Sequence, residues 1–322
     1  MIECNRKLNE RARVMETIVR AISESPGEPI VAPSQNHDQD MRDLLQLEDK
    51  RMIFGAITNS WRLLLESSDL RELVVDAETR GAAHIELRQT CLGEYETGEG
   101  EGWRPVLPRL RSLTEDFPGL TFNLAMAWPC LTKKSDPKGE PFQAALEGAK
   151  AVGGPAPHLR VVDPGRFEAP WDSAGDIPEE ALAVAGLATE AARHGVVLSM
   201  ENSGLPIRSM AMLVAHARAR MSPSDAGYLG LCPDPTNQLR SYPDSDPLDE
   251  LEAVPLDMIK IVHFKQIRDG QPYHSVDTGD LDCRRMLSML QARGYSGPAI
   301  MEIPPDPRVL DNLESSFAFL QS

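Results

Sequence analysis

The chain has 322 residues, of which 41% are hydrophobic, so it can bury a large core. Its 49 acidic and 33 basic residues give a formal net charge of −16, which repels nucleic-acid phosphates and anionic membranes. No clustered Lys/Arg patch overrides that balance, so a nucleic-acid-binding protein is not expected. The sequence also lacks the run of about 18 apolar residues that a membrane-spanning helix needs.

The five cysteines are scattered along the chain, and no two form a Cys-x-x-Cys pair. This pattern argues against a disulfide framework or a cysteine-rich zinc site, and it is typical of reduced thiols. The N-terminus lacks the apolar segment of a signal peptide, and its glutamates are unlike a transit peptide. We therefore expect a cytoplasmic protein.

Residues 1–50 are predicted to form an N-terminal helical extension. Apolar residues recur at helical spacing over residues 5–24, and Pro26-Gly27 ends the pattern. A polar stretch follows, and a second, short helix is predicted around residues 41–48. We expect this extension to cover the floor of the main domain or to form a contact in a homo-oligomer.

Residues 51–322 alternate short apolar runs with longer helical patterns, as a parallel β/α structure requires. The predicted strands are Met52–Ile57, Ala83–Leu87, Leu120–Ala125, Leu159–Val162, Val196–Met200, Tyr228–Cys232, Ile259–Val262 and Ala299–Ile303. The predicted helices lie near residues 68–80, 103–116, 140–152, 177–194, 207–220, 246–253, 280–293 and 306–320. This count predicts a closed (β/α)8 TIM barrel. A doubly wound sheet would also alternate, but the Gly-x-Gly-x-x-Gly motif of dinucleotide-binding folds does not follow the first strand.

The last four predicted strands each end in a residue that can bind a metal ion. In strand order, these residues are Glu201, Asp234, His263 and Glu302. Functional groups of a (β/α)8 barrel lie at the carboxyl ends of its strands, so these side chains are expected to converge. Three carboxylates in one cavity would repel one another, and a divalent cation removes that conflict. Oxygen ligands with one imidazole suit Mn²⁺, Mg²⁺ or Co²⁺ better than a structural Zn²⁺, and we predict one ion per chain, with Mn²⁺ preferred.

These strand ends resemble those of the xylose isomerase-like barrel superfamily, in particular its sugar phosphate isomerase/epimerase branch, which includes ketose 3-epimerases and inosose dehydratases. The intervals of 33, 29 and 39 residues between the four ligands match the size of a βα unit. The His-x-Lys at 263–265, the Asp-Thr-Gly-Asp-Leu-Asp at 277–282 and the Gly-Tyr-Ser-Gly at 294–297 are also similar to that family. The resemblance covers roughly residues 52–320.

The resemblance implies proton transfer next to the carbonyl of a small carbohydrate substrate, through an enediolate. It implies that Glu201 and Glu302 act as base and acid on opposite faces of the sugar while also binding the metal. Lys265 is expected to point into the same cavity, where it either polarises a substrate oxygen or pairs with a ligand carboxylate. The predicted activity is isomerisation or epimerisation of a sugar, polyol or related keto compound. A lyase or dehydratase is the alternative, because it begins with the same α-proton abstraction.

Four further residues are candidates for binding the substrate. Arg88 ends the second predicted strand near the barrel mouth, where it either clamps a carboxylate or hydroxyl group or belongs to a structural ion pair. Trp61 follows the first strand and either packs on a sugar face or anchors its loop. Asn237 stands where ketose 3-epimerases usually have a His, and Arg268 is adjacent to Asp269, where they have an Arg. These departures put a free ketose substrate in question.

Overall fold

The computed structural model describes residues 52–322, so the predicted extension and its boundary lie outside the described residues. Eight parallel strands form one sheet. They are β1 (Ile53–Ile57), β2 (His84–Arg88), β3 (Thr121–Ala127), β4 (His158–Val162), β5 (Val197–Glu201), β6 (Leu229–Cys232), β7 (Val262–Phe264) and β8 (Pro298–Met301). Each strand lies within a few residues of its predicted position.

The sheet closes into a barrel. The strands pair in the order β6-β5-β4-β3-β2-β1-β8-β7, and all of these pairs are parallel. Between β6 and β7, a parallel bridge joins Leu231 to Ile259, and the Lys260 amide donates to the Leu231 carbonyl at 3.0 Å. The (β/α)8 barrel expected from the alternation is therefore confirmed.

Helices follow the strands and pack around them. The α-helices span Leu70–Thr79, Leu107–Asp116, Glu140–Val152, Glu179–Leu182, Val184–Arg193, Ile207–Arg218, Pro223–Ala226, Pro235–Ser241, Pro247–Ala253, Cys283–Ala292 and Val309–Gln321. The helix predicted from residue 103 begins only at Leu107, because Arg104–Pro105 pairs with Glu96–Thr97 in a small hairpin. Within residues 52–322, no helix is both long and apolar enough to cross a membrane.

Side chains of the barrel strands point alternately outward to the helices and inward to the barrel axis. The outward set forms the main hydrophobic core, and Leu124, Leu159 and Leu198 are fully buried members of it. The inward set includes polar side chains in the amino-terminal half of the barrel, where His158 Nε2 lies 2.7 Å from Ser199 Oγ. Two positions further along the strands lies a charged layer, which supports the candidate site.

Candidate metal centre

Four acidic and histidine side chains converge at the carboxyl ends of β5 to β8. Glu201 ends β5, Asp234 lies two residues after β6, His263 belongs to β7, and Glu302 directly follows β8. One potential ligand atom from each residue lies within 4.8 Å of those of the other three. Asp234 and His263 are fully buried, whereas the Glu302 side chain is 16% exposed. The cluster is therefore open to solvent on the Glu302 side.

The ammonium group of Lys265 lies among these carboxylates. Its Nζ is 2.7 Å from Asp234 Oδ2 and 2.7 Å from Glu302 Oε2. Glu201 Oε1 is 3.6 Å away. The sequence left open whether Lys265 pairs with a ligand carboxylate or polarises a substrate oxygen. In the structure, its ammonium group forms ion pairs with the ligand carboxylates.

A buried arginine supports the cluster from below. Arg160 donates from Nη2 to Glu86 Oε1 at 2.5 Å and from Nη1 to Glu201 Oε2 at 2.7 Å. The same Glu86 oxygen lies 3.2 Å from His263 Nε2. Burial of two carboxylates is tolerated here because the guanidinium fork hydrogen-bonds both and its charge offsets part of theirs. This network fixes the orientation of Glu201 and of the imidazole ring, as the surroundings of metal ligands commonly do.

Two asparagine side chains donate hydrogen bonds to Glu201 and Glu302. Asn237 Nδ2 donates to Glu201 Oε1 at 2.9 Å, and Asn59 Nδ2 donates to Glu302 Oε1 at 2.7 Å. These hydrogen bonds fix the orientation of both glutamates within the cluster.

Asp234 serves two purposes at once. It is the N-cap of the helix Pro235–Ser241, and its Oδ1 accepts a hydrogen bond from the backbone N–H of Asn237 at 2.9 Å. The Asn202 side chain bonds both backbone groups of Asp234, accepting from its N–H at 2.7 Å and donating to its carbonyl at 3.0 Å. The cap satisfies one carboxylate oxygen and leaves Oδ2 directed at the cluster.

The carboxylates of the cluster differ in their affinity for protons. Burial raises the pKa of Asp234. The nearby charge of Lys265 opposes this rise, and the negative charge of Glu201 adds to it. Burial also acts to raise the pKa of Glu302, but Lys265 and His263 outweigh it and hold that pKa well below its usual range. With Glu86, four carboxylates face only two permanent cations, Arg160 and Lys265, so the cluster has an excess of negative charge.

The residues fit a divalent cation. Among the described residues, Asp234 Oδ2, His263 Nδ1 and Glu302 Oε2 are buried and make no hydrogen bond of regular geometry, although Lys265 Nζ forms ion pairs with both oxygens. Four donors bound at about 2.0–2.2 Å would lie within roughly 4.4 Å of one another, close to the 4.8 Å spread observed. A +2 ion would also balance the excess acids. The oxygen-rich donor set suits Mn²⁺, Mg²⁺ or Co²⁺.

Two of the predicted substrate contacts lie beside the cluster. Asn237 is bonded to Glu201, as described above. Arg88 ends β2 and is partly buried, and its charge interacts with those of Glu201 and Glu302 without forming an ion pair with either. Both residues remain candidates for contact with a substrate.

The other two candidates lie in different surroundings. Trp61 is 1% exposed and packs in the hydrophobic core, so its ring offers no open face to a sugar. Its position agrees with the alternative that Trp61 anchors its loop, because its carbonyl also accepts hydrogen bonds from the backbone amides of Leu64 and Leu65. The Arg268 side chain is 45% exposed and lies 3.7 Å from the centre of the Tyr273 ring. Neither side chain forms a hydrogen bond or an ion pair with the four-residue cluster.

Sequence patterns did not single out Arg160 or Asn59. A signal for Arg160 was present, because a charged residue within the apolar run Leu159–Val162 requires a buried partner. Asn59 carried no such signal, since its partner Glu302 is 243 residues away in the chain.

Comparison with known proteins agrees with this architecture. The sequence model of the xylose isomerase-like TIM barrel family matches residues 138–322, more than half of the chain. The chain therefore belongs to the xylose isomerase-like TIM barrel family. No curated protein matches the sequence significantly.

Several solved structures share the fold at low sequence identity. The probable 3-DHS dehydratase AsbF from Bacillus anthracis has a TM-score of 0.62 and 15% identity, over 84% of this chain and 99% of that one. D-allulose 3-epimerase from Methylomonas sp., solved with D-allulose, has a TM-score of 0.60 and 16% identity over 84% and 96%. The IolI protein with a bound zinc atom has a TM-score of 0.56 and 19% identity over 84% and 95%. At these identities the likeness establishes the fold alone.

Proposed function

We propose that this protein is a divalent-metal-dependent isomerase or epimerase of a sugar, polyol or related keto compound, with Mn²⁺ as its preferred ion. The observation that carries the proposal is the cluster of Glu201, Asp234, His263 and Glu302, whose ligand atoms lie within 4.8 Å of one another. Structural neighbours that include 3-epimerases support carbohydrate as the substrate class.

Glu201 and Glu302 are the proposed base and acid. They approach the cluster from β5 and β8, and the hydrogen bonds from Asn237 and Asn59 hold their carboxylates in place. One glutamate takes the proton from the carbon next to the carbonyl. The other returns a proton to the opposite face of that carbon in an epimerase, or one of them delivers it to the neighbouring carbon in an isomerase. A bound divalent cation supplies positive charge that stabilises the enediolate oxygens.

Lys265 is proposed to assist this proton transfer. Its side chain is 18% exposed and reaches the cluster on the same side as Glu302. There it can donate a hydrogen bond to a substrate oxygen and increase the acidity of the adjacent C–H bond. Asn237 and Arg88 are proposed to contact the substrate at the edge of the cluster.

The proposal predicts metal binding and solvent exchange. Elemental analysis of the Mn²⁺-supplemented protein is expected to find one ion per chain, and His263→Ala to lower the affinity sharply. In D₂O, NMR is expected to detect deuterium next to the carbonyl of at least one of D-fructose, D-tagatose, D-allulose and D-fructuronate. Glu201→Gln and Glu302→Gln should each slow this exchange by at least ~10²–10⁴-fold, whereas Glu147→Gln on an outer helix should not.

Product analysis of the same reaction separates the alternatives. Loss of water or another group β to the carbonyl would establish a lyase that uses the same first step. Complete turnover without any solvent deuterium would indicate a hydride shift between carbons and would contradict the proposed proton transfer.

A further inference from the structure

Arg88 lies directly above the charged layer of the barrel. It is two residues after Glu86 on β2, so both side chains point to the same face of the sheet, about 7 Å apart along the strand. Glu86 contacts His263 through Oε1 at 3.2 Å. The guanidinium of Arg88 therefore projects one strand step closer to the barrel mouth than the cluster.

Arg88 is a partly buried cation that has no acidic partner in the described part of the chain. Among residues 52–322, no carboxylate forms an ion pair with it, and its side chain makes one hydrogen bond, from Nη1 to the Gln89 carbonyl at 2.5 Å. Its Nε and Nη2 are not among the buried atoms that lack partners, so these donors remain accessible to solvent. An arginine in this position is costly to desolvate unless an anion pairs with it. In agreement with that cost, burial and the charge of Arg160 lower the pKa of Arg88.

The backbone around Arg88 is held in place. The Arg88 amide donates to Thr58 Oγ1 at 2.9 Å, which ties β2 to the segment after β1. Thr90 has a φ of 68°, an unfavourable conformation for a β-branched residue. The Glu96 carboxylate compensates by accepting the Thr90 amide at 2.7 Å. Backbone strain of this kind commonly occurs where a functional side chain must be positioned.

We propose that Arg88 binds a carboxylate of the substrate, so that the protein acts on an acidic sugar derivative such as a keto-sugar acid. This inference rests on the proposed function, because it places the remainder of the substrate at the metal cluster. The two free donors of the guanidinium fork match the two oxygens of a carboxylate. The single charge of Arg88 also matches a carboxylate better than a phosphate, which carries nearly two negative charges at neutral pH.

Binding of three ketoses that differ only at C6 tests this inference. D-fructose, D-fructuronate and D-fructose 6-phosphate carry a hydroxymethyl, a carboxylate and a phosphate group there. Calorimetric titration of the Mn²⁺-loaded protein is expected to show at least tenfold tighter binding of D-fructuronate than of D-fructose. The net charge of −16 disfavours any anion, so such a preference requires a local cation.

Variants of Arg88 connect that preference to one side chain. Arg88→Gln is expected to remove the preference for D-fructuronate without weakening Mn²⁺ binding, whereas Arg88→Lys retains part of the preference. Arg111→Gln, which removes an equal charge from an exposed helix surface, is the matched control and should keep the full preference. Thermal unfolding of each variant verifies that it is folded.

Three outcomes would overturn the inference. They are equal affinity for D-fructose and D-fructuronate, a preference that survives in folded Arg88→Gln, and tighter binding of D-fructose 6-phosphate than of D-fructuronate. The Mn²⁺ titration tests the proposed function separately. Metal binding without an acid preference refutes only the role of Arg88, whereas absence of metal binding refutes the proposed function.

Discussion

Two cations compensate the acidic cluster in different ways. Arg160 is buried and uses its rigid fork to bond Glu86 and Glu201. Lys265 instead contacts Asp234 and Glu302 as a flexible point charge on the open side. Arg160 is therefore a fixed part of the framework, whereas we expect the ammonium group of Lys265 to move aside when another cation enters.

We expect Lys265→Met to have opposite effects on stability and on metal affinity. Without added metal, the variant should unfold at a lower temperature, because buried carboxylates lose their neighbouring ammonium group. Its affinity for Mn²⁺ should rise, because no protein cation then competes for the Asp234 and Glu302 oxygens. Thermal unfolding and Mn²⁺ titration measure the two effects.

Lys150→Met provides the control for that substitution. Lys150 is exposed and pairs with Glu147 on an outer helix, and such surface pairs contribute about 0–1 kcal/mol to stability. Weaker Mn²⁺ binding by Lys265→Met than by the control would show that Lys265 does not compete with the ion.

At the scale of strands and helices, close packing decides which residues fit. Gly55 lies in the middle of β1, between β2 and β8. A Cβ at this position would lie 2.6 Å from the His84 carbonyl oxygen and 2.7 Å from Ile300 Cδ1. Backbone atoms cannot move aside as side chains do, so the neighbouring strand would have to shift.

Gly55→Ala is therefore expected to lower the free energy of unfolding by about 1–3 kcal/mol, the usual cost of overpacking a core. Urea denaturation measures this loss. Gly227→Ala is the matched control, because Gly227 has an ordinary helical φ of −65° and a Cβ there meets no atom of residues 52–322 within 4 Å. Equal stability of the two variants would argue against the close approach of β1 to its neighbours.

At the scale of the whole molecule, the polar interior of the barrel links stability to pH. Burial lowers the pKa of His158 to about 3, below the ordinary value near 6.5. Between these pH values the unfolded chain binds a proton at His158 and the folded chain does not. Stability that is present above about pH 6.5 is therefore lost as the pH falls towards 3.

His158→Gln is expected to reduce this loss by up to about 1.4 kcal/mol per pH unit between pH 6 and 4. The amide of Gln retains a hydrogen-bonding group for Ser199. Any stability that the substitution itself removes is therefore expected to be the same at every pH and does not change the slope. Urea denaturation across this pH range measures the slope for the wild type, for His158→Gln and for the control His216→Gln on an outer helix. An unchanged slope in His158→Gln would contradict the buried, neutral state of His158.

The sequence by itself determined the barrel and the four residues of the candidate metal centre. Alternating strand and helix patterns are local signals, and the ligands lie at the same place after four consecutive strands. Because the strands of a closed parallel barrel all point the same way, their carboxyl ends meet, and Glu201, Asp234, His263 and Glu302 converge.

Only the tertiary structure decided what surrounds those four residues. Arg160 bonds Glu86, which is 74 residues away in the sequence, and Asn59 bonds Glu302, which is 243 residues away. Trp61 is in the core, and Arg88 has no acidic partner among residues 52–322, because of how neighbouring βα units pack. Such contacts depend on distances across the closed barrel, which no local sequence pattern encodes.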